Sequence, residues 1–261
     1  MNSKHINSYY RLIQIRLSLL PSLLKVINLN LKSMNKKIYL TLIGLISLIY
    51  LNAQDCQFYY PEVKGAELIY KSFDKKGKLA GSTTSNVTEY NKTATGANAV
   101  IHSKSSDAKG KVISEGDLKV KCESGIFYFD MAGYLNQSAS AYQGMDVKME
   151  TSNLEMPSKI AAGDKLKDGW VKMTVSNGAM KLLSMEITIT ERTIEKKESI
   201  TTEAGTFDCY KINQTVITKV PMTYSSKSSE WLSPGTGLIK SESYASDGSI
   251  ASSLQLSSIK K

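Results

Sequence analysis

The chain has 261 residues, of which 33 are Lys or Arg and 24 are Asp or Glu, so its formal charge is +9. Seven of the basic residues and none of the acidic ones lie before Gln54, which leaves 26 basic against 24 acidic residues and a formal charge of +2. That remainder contains a single arginine, Arg192, and lacks the concentration of Lys and Arg that nucleic-acid binding requires, so nucleic acid is not an expected partner.

Residues 34–53 have the pattern of a secretory signal peptide. Two lysines form a short basic end, an apolar run follows over Ile38–Leu51, and small residues end the pattern at Ala53. A membrane-spanning helix needs about 18 or more apolar residues, whereas this run is shorter and is followed at once by polar sequence. We therefore expect export, removal of the signal, and a mature chain from Gln54 without an integral membrane span.

Residues 1–33 do not fit the short basic region that normally begins a signal peptide. We interpret them as a mis-assigned leader, with translation beginning at Met34. The alternative is that Leu12–Leu31 forms an amphipathic or inserted helix, although its apolar residues cluster without sustained helical spacing. N-terminal sequencing of the native protein distinguishes the two interpretations.

Three cysteines remain in the mature chain, Cys56, Cys122 and Cys209. Lipidation of Cys56 is disfavoured, because a lipoprotein signal has a small residue immediately before the cysteine and this chain has Asp55. An oxidising compartment permits one disulfide with one thiol left over. The sequence does not fix the pairing. Our prediction is Cys122 with Cys209, and the alternative is three free, buried thiols.

The mature chain alternates apolar and polar residues along nearly its whole length. Four segments show the alternation most clearly by their apolar residues: Leu118, Val120 and Cys122; Met145, Val147 and Met149; Val171, Met173 and Val175; and Met185, Ile187 and Ile189. Such strands are typical of an antiparallel sheet with one face on a core and the other in solvent. The length fits one domain over residues 54–261.

Turns with glycine punctuate this pattern, for example Asp74-Lys-Lys-Gly77 and Asp107-Ala-Lys-Gly110. One stretch, Met131–Tyr142, has helical spacing instead, and Asp130 stands in the position of an N-terminal cap. We predict a mainly β fold with one short helix. Its sheet is a curled antiparallel meander of about ten strands, either a half-barrel or a lipocalin-like barrel, which covers or removes sheet edges.

Two of the predicted hairpin turns are similar in sequence. Residues 73–82 and 244–253 share the order aromatic, three residues, Gly, one residue, aliphatic, Ala, small, Ser. The similarity is either a weak internal repeat or the common appearance of any two hairpins with a glycine turn. No repeat with the period of about 20 to 50 residues that solenoids have is present.

No catalytic constellation is evident in the sequence. His102 is the one histidine of the mature chain and is followed by Ser103, Ser105 and Ser106, but no serine lies in a Gly-x-Ser-x-Gly elbow. One histidine and three widely separated cysteines give no close pair of zinc ligands, and no phosphate-binding glycine motif occurs. We predict no catalytic residue, no metal site, no cofactor and no enzymatic activity. A hydrolase with spatially assembled carboxylates is the weaker alternative.

Methionine is concentrated in the middle of the chain. Seven methionines lie between residues 131 and 185. Five of them are predicted to line an apolar ligand site between the helix and the curled sheet: Met131, Met145, Met149, Met173 and Met185. Because methionine is flexible and polarisable, it suits adaptable surfaces that bind a lipid or another apolar small molecule. The alternative is a flexible core without a cavity.

Several short segments, taken in order, resemble a known family. They are Cys56-x-x-Tyr-Tyr-Pro61, Val120-Lys-Cys-Glu-Ser-Gly125, Phe129-Asp-Met131, Glu155-Met-Pro157, Ala204-Gly-Thr-Phe-Asp-Cys-Tyr-Lys-Ile212, Glu230-Trp231 with Gly235-x-Gly237, and Ile239-Lys-Ser-Glu-Ser-Tyr244. Together they resemble the TapB-like family of exported bacterial proteins, which is related to uncharacterised envelope domains of unknown function. The resemblance covers most of residues 55–260. It implies an all-β exported domain of curled-sheet or lipocalin-like architecture, without an agreed activity and with no catalytic residue to carry over.

The sequence therefore favours an exported envelope protein that is periplasmic, associated with the outer membrane, or secreted. The leading hypothesis is a non-enzymatic binding module for an apolar ligand or an envelope partner. The alternative is a structural or interaction protein of the cell envelope that acts through sheet edges or its polar face.

Overall fold

The structure, a computed structural model, describes residues 56–136, 142 and 144–261. The predicted leader over residues 1–33 and the predicted signal peptide over 34–53 lie outside these residues. The described part contains thirteen strands and one short helix. In chain order they are β1 Glu67–Asp74, β2 Leu79–Thr93, β3 Gly96–Asp107, β4 Val112–Glu123, β5 Ile126–Phe129, α1 Met131–Asn136, β6 Asp146–Ser152, β7 Leu154–Pro157, β8 Gly169–Asn177, β9 Met180–Thr202, β10 Gly205–Val220, β11 Met222–Ser233, β12 Gly237–Tyr244 and β13 Ile250–Lys260.

All the described strands belong to one antiparallel sheet, in the order β6-β8-β9-β10-β11-β12-β13-β1-β2-β3-β4-β5-β7. Most neighbours in the sheet are also neighbours in the chain, because short turns join antiparallel strands. The last strand pairs with the first, with Lys260 opposite Glu67. The predicted mainly β fold, a curled antiparallel sheet with one short helix, is confirmed.

The two edges of the sheet lie next to each other in the chain. β6 forms one edge, β7 forms the other, and only Asn153 separates them. The segment over residues 158–168 continues from β7 and follows β9, where Leu166 N donates to Arg192 O at 2.8 Å. The sheet is therefore nearly closed into a barrel, and this segment covers backbone groups that an open edge would expose to other chains.

Alternate residues of the strands face the main core. In β4 the buried residues Leu118, Val120 and Cys122 alternate with exposed ones, as the sequence predicts, because successive side chains of a strand point to opposite faces. The cluster that they enter also contains Phe58, which precedes β1, and Ile194 of β9. Burial of each large apolar side chain stabilises the fold by about 1.5–3 kcal/mol.

Antiparallel pairing places successive turns at opposite ends of the sheet. In the described residues, the turns at one end, here called the tip end, are 75–78, 108–111, 178–179, residue 221 and 245–249. The turns at the opposite end, here called the covered end, are 94–95, 124–125, 203–204 and 234–236. Residues 56–66 also lie at the covered end, since β1 begins there.

A disulfide fastens residues 56–66 to the covered end. It joins Cys56 to Cys122 near the end of β4, with Cα atoms 5.8 Å apart. The predicted pair of Cys122 with Cys209 is therefore wrong, because Cys209 of β10 is a free thiol in a different cluster, with Trp231. Burial raises the pKa of the Cys209 thiol to about 12. Cys122 and Cys209 both lie on buried faces of their strands. The alternation of apolar and polar residues does not show which strands are close together in the sheet, so it could not predict the pairing.

Aromatic side chains of the same segment fill the covered end. Phe58 and Tyr59 are buried and pack edge-to-face against Phe127, with ring centroids 5.3 and 5.5 Å away. Such pairs contribute about 0.5–1.5 kcal/mol beyond their burial. Gly237 permits the close approach of this segment, since a Cβ atom there would lie 2.8 Å from Tyr59 O.

Candidate functional site

Four of the five predicted methionines meet in one cluster. Met131 of α1 and Met173 of β8 are buried, and the half-buried Met149 of β6 and Met185 of β9 pack against them. Met149 and Met185 lie opposite Met173 on its two neighbouring strands, so the three side chains share one face. Met145 lies apart, because it precedes β6 and is 41% exposed. We call the four side chains and their apolar neighbours the methionine cluster.

Asp130 begins the helix that brings Met131 into this cluster. Its Oδ1 accepts a hydrogen bond from Ala132 N at 3.0 Å, which is the predicted N-terminal cap. α1 then covers six residues and contacts β4, β6 and β8. Most of the remainder of the predicted helix, up to Tyr142, lies outside the described residues. In the part that the structure describes, no helix has the length and apolar character needed to cross a membrane.

An open groove runs beside α1, where the two edges of the sheet meet. One part of it has a volume of about 560 Å³ and is lined by Asp117, Lys119, Asp130, Ala132, Gly133, Val147 and Met149. The adjoining part has a volume of about 350 Å³ and is lined by Asn98, Ala99, Val100, Lys119, Val120, Lys121, Tyr128, Asp130 and Asn153. Lys119 and Asp130 line both parts, so we treat them as one site, the junction groove.

The junction groove has an apolar wall and a polar wall. Val147 and Met149 of β6 form the apolar wall and belong to the methionine cluster. Lys119 of β4 and Asp130 contribute charges to the polar wall. The Oδ1 atom of Asn153 is buried and has no hydrogen-bond partner among the described residues, a condition that water or a ligand normally relieves. The groove thus offers apolar contacts, the Lys119 cation, the carboxylates of Asp117 and Asp130, and a buried acceptor.

His102 lies beside the polar wall through its contact with Asp117. Its Nδ1 is 2.8 Å from Asp117 Oδ1 and its Nε2 is 3.2 Å from Glu115 Oε1. Hydrogen bonds to Asp117 and then to Glu115 raise the pKa of His102 above its ordinary value. The hydroxyl of Ser103, which follows in β3, pairs instead with that of Ser85 at 2.9 Å. No group of three or more His, Cys, Asp or Glu side chains in the described residues is arranged to hold a metal ion.

Arg192 is a buried charge whose structural role the sequence did not predict. A β-bulge opposite Gln214 interrupts the pairing of β9 with β10 at Glu191 and Arg192, and Glu191 has a φ of 54°. The Arg192 side chain is buried, and its Nη1 donates to Glu155 O at 3.1 Å and to Lys167 O at 2.7 Å. Arg192 therefore ties β7 and the segment after it to β9, which holds the barrel closed beside the junction groove.

Glu230 of β11 adds a buried carboxyl near Arg192. Burial raises the pKa of Glu230, while the charge of Arg192 and a hydrogen bond from Gln214 act in the opposite direction. Arg192 Nε, Gln214 Oε1 and Ser228 Oγ are buried without hydrogen-bond partners among the described residues. Arg192 is the single arginine of the mature chain, and this is the one feature of the sequence that points to the buried polar groups. The alternation of apolar and polar residues does not predict that its side chain is buried.

The chain is similar to two solved structures of bacterial proteins. A presumed lipoprotein from Parabacteroides distasonis is 27% identical, with a TM-score of 0.68, and the match covers 79% of this chain and 100% of that one. A presumed exported protein with a YmcC-like fold, from Bacteroides fragilis, is 24% identical, with a TM-score of 0.66 and the same coverage. No curated protein matches the chain.

The chain also matches a model of a protein family. The family model described as DUF3108-like matches residues 63–256, which span the sheet from before β1 into β13. The specific TapB-like name is not confirmed, whereas the broader expectation of an exported domain family without an assigned activity agrees with these relatives. Because the match covers most of its length, the chain belongs to the DUF3108-like family.

Proposed function

We propose that this protein is an exported, non-enzymatic binding protein of the cell envelope that holds an amphiphilic ligand in the junction groove. One observation carries the proposal: Val147 and Met149 extend the methionine cluster into a groove whose other wall carries Lys119. A ligand with an apolar chain and a polar head group matches such a site. The descriptions of the two similar structures, an exported protein and a lipoprotein, support an exported location in the cell envelope.

The apolar chain of the ligand contacts β6 and α1. Ala132 lines the groove, whereas Met131 and Leu135 of the same helix pack in the methionine cluster with Met173. The helix therefore lies between the groove and the buried part of the cluster, while Val147 and Met149 connect the two. Because methionine adapts to changes in shape, the side chains of Met131 and Met149 can rearrange to lengthen the groove into the cluster.

The polar head group is recognised by Lys119 and Asn153. The Lys119 side chain lines both parts of the groove, and no carboxylate among the described residues forms an ion pair with it. Asn153 supplies a buried acceptor without a partner in the described part. A head group that carries a negative charge and a hydrogen-bond donor satisfies both groups.

Binding of parinaric acid, a fluorescent fatty acid, tests the proposal. We expect saturable binding of parinaric acid by the protein purified from the cells that export it. Met149→Asp places a charge in the apolar wall and weakens the affinity by about tenfold to a hundredfold. The matched control is Val63→Asp, since Val63 is exposed, lies at the covered end and is not among the residues of the groove. Absence of saturable binding, or an equal effect of the two variants, overturns the proposal.

A comparison of two probes tests the head-group site separately. Lys119→Ala is expected to weaken binding of parinaric acid and to leave binding of its uncharged methyl ester unchanged, because only the acid has a charge for the ammonium group. Equal weakening of both probes would show that Lys119 contributes through packing alone.

Hydrolysis is the weaker alternative for the same groove. Asp117 and Asp130 both line it, but each already has a hydrogen-bond partner within the protein, Asp117 in His102 and Asp130 in Ala132 N. Release of p-nitrophenol from p-nitrophenyl butyrate by the wild type, lost in Asp117→Asn, would replace binding by catalysis.

A further inference from the structure

Three neighbouring hairpins at the tip end are built alike. In β1–β2, β3–β4 and β12–β13, a glycine in the left-handed conformation ends the turn: Gly77, Gly110 and Gly248, with φ of 72°, 83° and 82°. Each glycine N–H donates to the carbonyl three residues earlier, at 2.9 or 3.0 Å. The two segments that are similar in sequence, 73–82 and 244–253, are therefore adjacent copies of one turn design, because β1 pairs with β13.

The aspartates of two of these turns direct their carboxylates to the backbone. Asp74 Oδ1 accepts hydrogen bonds from two backbone N–H groups of its turn at 2.8 and 3.0 Å, and Asp107 Oδ1 accepts two at 2.9 Å. Five exposed lysines accompany them: Lys75, Lys76, Lys78, Lys109 and Lys111. Within the described residues none of these lysines forms an ion pair, so their charges face solvent.

Exposed apolar side chains follow the same turns. Leu79 begins β2, Val112 and Ile113 begin β4, and Ile250 begins β13. Ile113 is 65% exposed, which leaves most of its side chain in water. The β1–β2 and β3–β4 turns therefore present apolar side chains and cationic groups next to each other, whereas the β12–β13 turn presents Ile250 without a lysine.

The other two turns of the tip end repeat this combination. Met180 and Leu182 follow the β8–β9 turn, and Met222 and Tyr224 follow the β10–β11 turn, all of them exposed. The segments 176–182 and 219–224 each contain one lysine and no Asp or Glu, although Lys219 forms an ion pair with Glu186 of β9 at 3.7 Å. Five turns of different sequence thus share exposed apolar residues, and four of the five carry lysine.

At the opposite end of the sheet, this combination occurs among the described residues at Val63 and Lys64 rather than at every turn. Of the eleven large hydrophobic side chains that are exposed in the described residues, all except Val63 and Trp170 belong to the tip end. The turns of the covered end contain no lysine. Exposed apolar residues scattered over a surface are normal, whereas a set concentrated at one end indicates an interaction surface.

We propose that the tip end docks the protein onto a bilayer that contains anionic lipid. The apolar side chains on the protruding turns enter the boundary between head groups and acyl chains, and the lysines beside them meet the lipid phosphates. A protein partner fits less well, because five separate turns present an interrupted surface rather than the continuous packed patch of a protein interface. This docking surface is independent of the junction groove.

Flotation with vesicles tests the docking surface. The protein, in the form that the cell accumulates, is expected to float with vesicles of phosphatidylethanolamine and phosphatidylglycerol and to stay behind with vesicles of phosphatidylcholine alone. The variant Lys75→Glu/Lys109→Glu reverses two charges of the tip end and lowers the affinity for anionic vesicles by about tenfold or more. Ile113→Ser lowers it to a smaller extent, because it removes apolar contact and leaves the charges intact.

Matched controls at the covered end make the result specific. Lys64→Glu/Lys92→Glu has the same change in net charge, and Val63→Ser removes an exposed apolar side chain of the covered end. Both are expected to bind vesicles as the wild type does. Equal losses in the tip and control variants would show attraction by net charge alone and overturn the proposal, as would tip variants that bind normally. Self-association without lipid, abolished by the tip variants in sedimentation velocity, would assign the surface to a second copy instead.

Discussion

The covered end and the tip end are formed by the same strands but are completed in opposite ways. At the covered end, residues 56–66 are fastened by a disulfide and place Phe58 in the main core. At the tip end, short turns project lysines and side chains such as Ile113 into solvent. The covered end is thus closed by a disulfide and packed aromatic side chains, whereas the tip end exposes cationic and apolar side chains. A sheet anchored in this way can vary its free turns without losing its core, as rigid scaffolds do with their binding loops.

Removal of the disulfide is the strongest test of the covered end. The variant Cys56→Ser/Cys122→Ser releases a constraint between residues 66 positions apart in sequence and lowers the free energy of unfolding by about 4 kcal/mol. Guanidinium denaturation of the oxidised wild type and of the variant measures this change. Vesicle flotation of the folded variant is expected to be unchanged. Loss of vesicle binding in the folded variant would contradict the separation of the two ends.

A substitution of Glu230, whose carboxyl is buried between the two ends, is expected to have a smaller effect on stability than removal of the disulfide. Because burial raises its pKa in the folded state, that state binds the proton more tightly than the unfolded chain does. The stability from this group is present at low pH and is lost as the pH rises through the raised pKa. Glu230→Gln therefore flattens the fall in melting temperature between acidic and neutral pH. Glu89→Gln, on the exposed side of β2, is the control and retains the wild-type profile.

The smallest expected effect on stability is that of the tip variants. Lys75→Glu/Lys109→Glu is expected to change the free energy of unfolding by no more than about 0.5 kcal/mol, since both lysines are exposed and unpaired within the described part. Thermal unfolding without lipid measures this change. A loss comparable to that of the disulfide variant would mean that the tip turns support the fold, and the contrast between the ends would fail.

Local rules were sufficient for the fold class, for the strands and for the start of the helix. The buried side of β4 follows its alternation, because the direction of a side chain in a strand depends on its position along that strand. Asp130 caps α1 through a hydrogen bond to a residue two positions away. The turns at Gly77 and Gly110 need only a residue that tolerates positive φ.

Features that depend on distant segments could not be predicted in the same way. The Cys56–Cys122 bond requires residues 56–66 to reach the end of β4, and the meeting of the sheet edges at Asn153 requires the whole sheet to curl. The β-bulge at Arg192 changes the alternation of β9 by one residue, which no periodic pattern anticipates. Met145 has the spacing of its neighbours Val147 and Met149, but β6 begins after it and leaves it exposed.

The first strand, β1, pairs with the last strand, β13, so the beginning and the end of the sheet in sequence are neighbours in space. At the covered end Gly235 N donates to Phe58 O and the Lys261 side chain donates to Gly235 O, so a linker can join residue 261 to the chain before Phe58 there. A circular permutant with new termini at Gly178 would keep every strand pair and convert the β8–β9 turn into two chain ends. One turn of the tip end can therefore be cut by changing the order of the segments in the chain, while every residue of the core stays the same.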